Sequence, residues 1–73
     1  MVMTLEQLKR IAGAGGGFVI DATTLTFNQI RDLSAAAEAG KARITIKKVS
    51  GMTAGQLEEL AGLAPGLLVF DLS

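Results

Sequence analysis

The segment LTFNQIRDLS (Leu25–Ser34) decides the fold, because its pattern occurs three times in the 73-residue chain. The other two copies are MTLEQLKRIA (Met3–Ala12) and MTAGQLEELA (Met52–Ala61). Each copy carries the motif T-x-x-Q, which is a capping box: the threonine hydroxyl and the glutamine side chain each bind a backbone N–H at the start of a helix. The sequence therefore predicts three helix starts, at the pairs Thr4/Gln7, Thr26/Gln29 and Thr53/Gln56.

Apolar residues bracket each box and favour the same interpretation. The residue before the threonine and the residue after the glutamine can pack together as a hydrophobic staple. The predicted staples are Met3/Leu8, Leu25/Ile30 and Met52/Leu57. Glycine or proline follows each helix, in GAGGG at 13–17, at Gly40 and in APG at 64–66, and these are typical helix stops.

A short apolar run follows each stop. These runs are FVID at 18–21, ITIK at 44–47 and LVFD at 68–71, and their β-branched and aromatic residues are typical of strands. The chain is therefore predicted to be a single α/β domain over residues 1–73, made of three αβ repeats at about 3–22, 25–48 and 52–73.

Alternation along the strands predicts which face of the sheet meets the helices. One face is wholly apolar: Phe18, Ile20, Ile44, Ile46, Leu68 and Phe70. The opposite face is mixed and is predicted to be solvated, with Val19, Asp21, Arg43, Thr45, Lys47, Val69 and Asp71.

Charge on that mixed face bears on the strand order. A parallel sheet in the order 1-2-3 places Lys47 between Asp21 and Asp71 and predicts cross-strand pairing. Right-handed crossovers in this order put all three helices on one face. The alternative order 2-1-3 makes the two aspartates neighbours and puts helices on both faces, so the order 1-2-3 is preferred.

Composition limits the function classes. The chain has no Cys and no His, which argues against disulfides and structural zinc, and no metal or cofactor is expected. Seven basic and seven acidic residues give zero net charge, and the only aromatics are three phenylalanines in apolar patterns, so nucleic acid is not an expected partner. No apolar run approaches the roughly 20 residues of a membrane span. No signal peptide is recognisable, and a cytoplasmic location is the default expectation.

Three segments invite a chemical interpretation. The glycines of GAGGGF follow a helix and precede a strand, the reverse of a phosphate loop, which favours a helix stop with a flexible linker. Asp21 and Asp71 resemble an acid–base pair, but cross-strand pairing with Lys47 is preferred, and no catalytic residue is predicted. The charged helix residues Lys9, Arg10, Glu58 and Glu59 are predicted to be solvated.

The loop KKVSGMT (47–53) is better placed for binding, since it runs from a strand end to a helix start. An anion there would contact Lys47, Lys48, Ser50 and Gly51. The competing interpretation is a solvated turn, because Thr53 and Gln56 already use the helix amides.

The segments LLVFDLS (67–73) and VIDATTLTFNQIRDLSAAA (19–37) resemble leucine-rich repeats of the type with full helices on the convex side. The resemblance covers most of the chain. The family's asparagine after the strand is missing, since Ala22, Thr23 and Thr24 follow the first strand, and Phe, Val and Ile replace its strand leucines. The resemblance implies a binding surface on the bare strand face and no catalysis.

We therefore expect a non-enzymatic protein-interaction or self-assembly module that uses the bare sheet face or the edge strands. Its partner would be another protein or a second copy of the chain. Two alternatives stay open: a small anion- or nucleotide-binding domain that uses the 47–53 loop, and a designed or excised repeat fragment without its own activity.

Overall fold

The computed structural model describes residues 4–72 and alternates helices with strands, as the sequence predicts. Short 3₁₀ turns, Ala22–Thr24 and Val49–Gly51, follow the first two strands and were not predicted. The elements are α1 (Leu5–Gly13), β1 (Phe18–Asp21), α2 (Phe27–Gly40), β2 (Ile44–Lys47), α3 (Ala54–Leu63) and β3 (Leu68–Phe70). We refer to α1 with β1, α2 with β2 and α3 with β3 as the first, second and third units.

All three capping boxes are formed. In α2, the Gln29 N–H donates to Thr26 Oγ1 at 3.1 Å, and the Thr26 N–H donates to Gln29 Oε1 at 2.8 Å. The boxes at α1 and α3 have the same two bonds. Of the staple residues, Leu25 and Met52 are partly buried against the core, whereas Met3 lies outside the described residues.

The sheet is parallel in the order β1-β2-β3, which confirms the preferred topology over 2-1-3. The register aligns Phe18 with Ile44 and Ile44 with Leu68. The last strand ends at Phe70, one residue earlier than predicted, although the Asp71 N–H still donates to the Ile46 oxygen at 2.9 Å.

One face of the sheet carries the helices. Ile20, Ile44 and Ile46 are buried, while Val19 and Val69 on the opposite face are exposed. Helix α2 packs between α1 and α3, so the three helices form a single layer. The core lies between that layer and the apolar face of the sheet, and it is most completely buried around the second unit, where Ile30, Leu33, Ile44 and Ile46 are at most 2% exposed. Within residues 4–72, no helix is long and apolar enough to cross a membrane.

Two glycines allow the first two units to approach closely. A Cβ on Gly40 would overlap the carbonyl oxygens of Ala12 and Gly13, and a Cβ on Gly17 would overlap the carbonyl oxygen of Arg43. The segment GAGGG does end α1, but the prediction of a flexible linker is incomplete. Gly17 is a packing position, because only a residue without a side chain fits against the backbone there.

Candidate interaction surface

The face of the sheet opposite the helices holds one residue from each strand in a straight row. Val19 aligns with Thr45, and Thr45 aligns with Val69. Val19 is 59% exposed and Val69 is 44% exposed, whereas Thr45 on the central strand is half-buried. This row, the bare-face row, offers two apolar side chains around a hydroxyl, and no helix within residues 4–72 covers it.

Charged residues from the predicted set lie at the two ends of that face. Asp21 aligns with Lys47 at the carboxyl end of the sheet. Asp71 follows β3 and continues its ladder with β2 through its bond to Ile46. Arg43 immediately precedes β2 and is exposed, so it belongs to the amino end of the sheet rather than to a strand. The structure thus groups Asp21, Lys47 and Asp71 at one end and separates Arg43 from them.

The carboxylate of Asp21 is held by its own turn and by the next unit. Asp21 Oδ1 accepts bonds from the Thr23 N–H at 2.8 Å and from the Thr23 hydroxyl at 2.6 Å. Lys48 Nζ lies 3.7 Å from Asp21 Oδ2. These bonds from Thr23, with a smaller contribution from the Lys48 charge, lower the pKa of Asp21 below its ordinary 3.8.

The predicted partner of Asp21 was wrong in detail. Lys47 is its neighbour in the register, but within residues 4–72 the ion pair to Asp21 comes from Lys48. Lys48 has a left-handed backbone, with φ 58° and ψ 49°, which turns the chain at the end of β2. A lysine in this conformation is uncommon, and its sequence position gives no sign of it.

Two open depressions lie at the carboxyl edge of the sheet, on either side of Lys48. One, of about 450 Å³, includes Ser50, Leu57 and Asp71 in its lining, and the other, of about 440 Å³, includes Asp21 and Lys47. The first depression combines Lys48 with Asp71, and the second combines Lys47 and Lys48 with Asp21. In each, the carboxylate opposes the binding of an anion, although the second depression has one lysine in excess.

The loop 47–53 keeps its predicted anion-binding residues on the surface. Lys47, Lys48, Ser50 and Gly51 are all exposed. However, Lys48 is paired with Asp21, and one amide of the first turn of α3 is occupied, because the Gln56 N–H donates to Thr53 Oγ1 at 3.1 Å. The competing interpretation, a solvated turn, accounts for this geometry. Across the described residues, no three His, Cys, Asp or Glu side chains are grouped so that they could hold a metal ion.

The sheet has two edges in the described part of the chain. β1 and β3 are each paired only with β2. The Ile44 N–H donates to the Leu67 oxygen, and the Ile46 oxygen accepts from the Asp71 N–H. Because alternate residues of a parallel strand bond to the same neighbouring strand, the backbone N–H and C=O groups of Leu68 and Phe70 point away from β2. Edges of this kind are templates for pairing with another strand.

One contact between units was missed by the sequence analysis. Arg31 Nε lies 3.1 Å from Glu59 Oε2 and joins α2 to α3, while the Arg31 guanidinium sits 6.0 Å from the centre of the Phe27 ring. Glu59 was predicted to lie on a solvated helix face. Both side chains are about half exposed, so the prediction of a solvated position for Glu59 was reasonable, but it missed the ion pair with Arg31 of the neighbouring unit.

No protein-family model, curated protein or solved structure matches this chain. The resemblance to leucine-rich repeats therefore stays a prediction. The function has to be argued from the surface of the chain itself.

Proposed function

We propose that the chain is a non-enzymatic protein-association module that binds its partner through the open edges of the sheet and the adjoining bare-face row. The observation that carries the proposal is that, in the described part of the chain, β1 and β3 are paired on one side only and no helix covers the second face of the sheet. A partner strand on either edge gains main-chain hydrogen bonds, and its alternate side chains meet the bare-face row or the apolar layer.

Exposure along the strands supports this proposal. On the apolar face of the outer strands, Phe18, Leu68 and Phe70 are only partly buried and Ile20 is buried, whereas both Ile44 and Ile46 of the central strand are about 1% exposed. The edges therefore present both unpaired backbone groups and unfinished apolar packing. Neither edge has a proline, and Asp21 is the only charged residue within β1 and β3, so little in either strand opposes pairing.

A peptide with the sequence of the central strand tests the proposal. RITIKK, residues 43–48, already pairs with both outer strands inside the protein, so a free copy tests whether either outer strand can pair with an added strand. Titration of the ¹⁵N-labelled chain with this peptide is expected to shift the amide resonances of β1 or β3 and of the bare-face row. The control peptide carries Thr45→Pro and Ile46→Pro, which removes one ladder donor from each side of the strand. Equal shifts with both peptides, or no shift in either edge strand at millimolar peptide, would reject edge binding.

A further inference from the structure

We infer that the partner is a second copy of the chain, joined head to tail, so that the α3/β3 end of one copy stacks on the α1/β1 end of the next and the parallel sheet continues across the boundary. This inference rests on the proposed function, since it names the occupant of the same open edges. Three observations lead to it, and all concern equivalent positions counted from the capping threonine of each helix.

The fourth position after the cap is fully buried only in the units that have a following unit. It holds Leu8, Ile30 and Leu57. Leu8 and Ile30, which have a following unit, are 3% and 2% exposed, whereas Leu57 is only partly buried. The eighth position behaves in the same way, since Ala12 and Ser34 are buried and Ala61 is not fully covered.

The seventh position shows the opposite trend, because it is fully buried only in the units that have a preceding unit. It holds Ile11, Leu33 and Leu60. Leu33 and Leu60 are buried, whereas Ile11 is partly exposed and lines a shallow groove of about 390 Å³ with Gln7, Arg10 and Ala14. That groove lies on the face of α1 that corresponds to the face by which α2 packs on α1 and α3 packs on α2. Each end of the molecule thus presents one half of the contact that both internal junctions complete.

Charge at the junctions matches this stacking. The internal pair Arg31–Glu59 joins the fifth position of one helix to the sixth position of the next. The same two positions at the first junction hold Lys9 and Asp32, which are again opposite in charge. A head-to-tail contact between copies would bring Glu58, at the fifth position of α3, to Arg10, at the sixth position of α1. The signs are reversed relative to the internal junctions, but the charges remain complementary.

The register of the sheet also extends across the boundary. The internal alignments of Phe18 with Ile44 and of Ile44 with Leu68 make Leu68 the neighbour of Phe18 in the next copy. Val69 then lies beside the next Val19, which lengthens the bare-face row. Asp71 comes beside the next Asp21, and this like-charged neighbour pair weakens the contact.

The symmetry of such a contact gives it a distinctive signature. A head-to-tail interface joins two different surfaces, so each added copy exposes a new end and association continues into a filament or closes as a ring. Stacking of two bare faces, by contrast, uses the same surface twice and ends at a dimer. The mass of the assembly against concentration therefore separates the two arrangements.

The experiment is sedimentation of the full 73-residue chain from about 10 μM to about 1 mM, with charge variants. The weight-average mass of the wild type is expected to rise past that of a dimer. Glu58→Arg and Arg10→Glu should each weaken association roughly fivefold, and the double variant should return to within about twofold of the wild type. Asp71→Asn should strengthen association by roughly threefold, because it removes the like-charged neighbour.

Glu6→Arg is the matched control. It makes the same charge change at the second helical position, which is exposed in all three units, and it should leave association unchanged. Circular dichroism verifies that every variant is folded. A plateau at the dimer mass, charge reversals without effect, or a strict monomer at 1 mM would each overturn the head-to-tail assembly. Edge shifts with the RITIKK peptide would still support the proposed function in all three cases, so the two failures are distinguishable.

Discussion

The two junctions between units are built from the same sequence pattern but differ in how the helices meet. At the first junction, Gly40 lets α2 approach the carbonyl end of α1 until backbone touches backbone. At the second, α3 packs less extensively on α2, and the pair Arg31–Glu59 spans the gap with side chains. The capping boxes are the same in all three units, whereas Gly40 and Gly17 allow a close backbone contact at the first junction.

Truncation of one buried leucine at each junction would test this difference most strongly. Leu33 and Leu60 occupy the seventh position of α2 and α3 and are both fully buried. We expect Leu33→Ala to lower the free energy of unfolding by about 4 kcal/mol and Leu60→Ala by about 3 kcal/mol, because a loosely packed site collapses more completely around a cavity. Urea unfolding followed by circular dichroism measures both. Equal losses would mean that the two junctions are equally rigid.

Glycine substitutions should have opposite effects on stability at the first junction and at an open position of α3. Gly40→Ala places a methyl group on the carbonyl oxygens of Ala12 and Gly13 and should cost about 3 kcal/mol. Gly62→Ala in α3 meets nothing within 4 Å and should stabilise the chain by up to about 1 kcal/mol through helix propensity. Thermal unfolding of the two variants checks the pair. A stable Gly40→Ala protein would show that the first junction can open without loss.

The caps should behave alike wherever they lie, because they are local. Thr26→Ala removes the hydroxyl that accepts the Gln29 N–H and should cost about 1 kcal/mol, and Thr53→Ala should cost about the same. The urea midpoint of each variant, compared with that of the wild type, provides the measurement. An unchanged midpoint for Thr26→Ala would mean that the box contributes nothing to the start of α2.

The ion pair across the second junction should contribute little. Arg31 and Glu59 are both about half exposed, so a double-mutant cycle with Arg31→Ala and Glu59→Ala should give a coupling energy of about 0.5 kcal/mol. The coupling should shrink in 1 M salt, where the screening length falls to about 3 Å. A coupling that persists unchanged in salt would indicate packing of the Arg31 stem rather than charge.

The hydrogen bonds that Asp21 accepts from Thr23, with a smaller contribution from Lys48 across the first junction, should appear in the pH dependence of stability. The folded pKa of Asp21 is lowered, so its contribution is fully present above the ordinary value of 3.8 and is lost as the pH falls through the lowered value. Asp21→Asn should therefore lose less stability than the wild type between pH 7 and pH 2.5, as measured by urea unfolding. Parallel losses in the two proteins would assign the acid sensitivity to other carboxylates.

Most of the fold could be predicted from the chain because its determinants are local. T-x-x-Q fixes each helix start within a few residues, and alternation in FVID and ITIK fixes the face that packs. The order of the strands followed from the charges of Asp21 and Lys47, although the carboxylate actually pairs with Lys48. The left-handed backbone of Lys48 could not be foreseen, because only tertiary context selects that conformation for a lysine.

The close approach at Gly40 and the pair Arg31–Glu59 could not be predicted for a related reason. Both depend on the distance and rotation between neighbouring helices, and these are set by packing rather than by the sequence of either helix. Of the candidate surface, the exposed row of Val19 and Val69 follows from strand alternation alone. The matching of the two ends emerges only when burial is compared at equivalent positions of the three units.

The looser second junction has a consequence for how the molecule opens. In a stack where each unit touches only its neighbours, partial unfolding proceeds from an end, and it begins where the nearest-neighbour contact is weakest. We therefore expect the third unit to open first, while the first two units, which pack closely at Gly40, stay folded. Amide hydrogens of α3 and β3 would then exchange with solvent well before those of α2 and β2. Addition of another copy at β3 would slow that exchange, and self-association would thereby protect the segment that opens first.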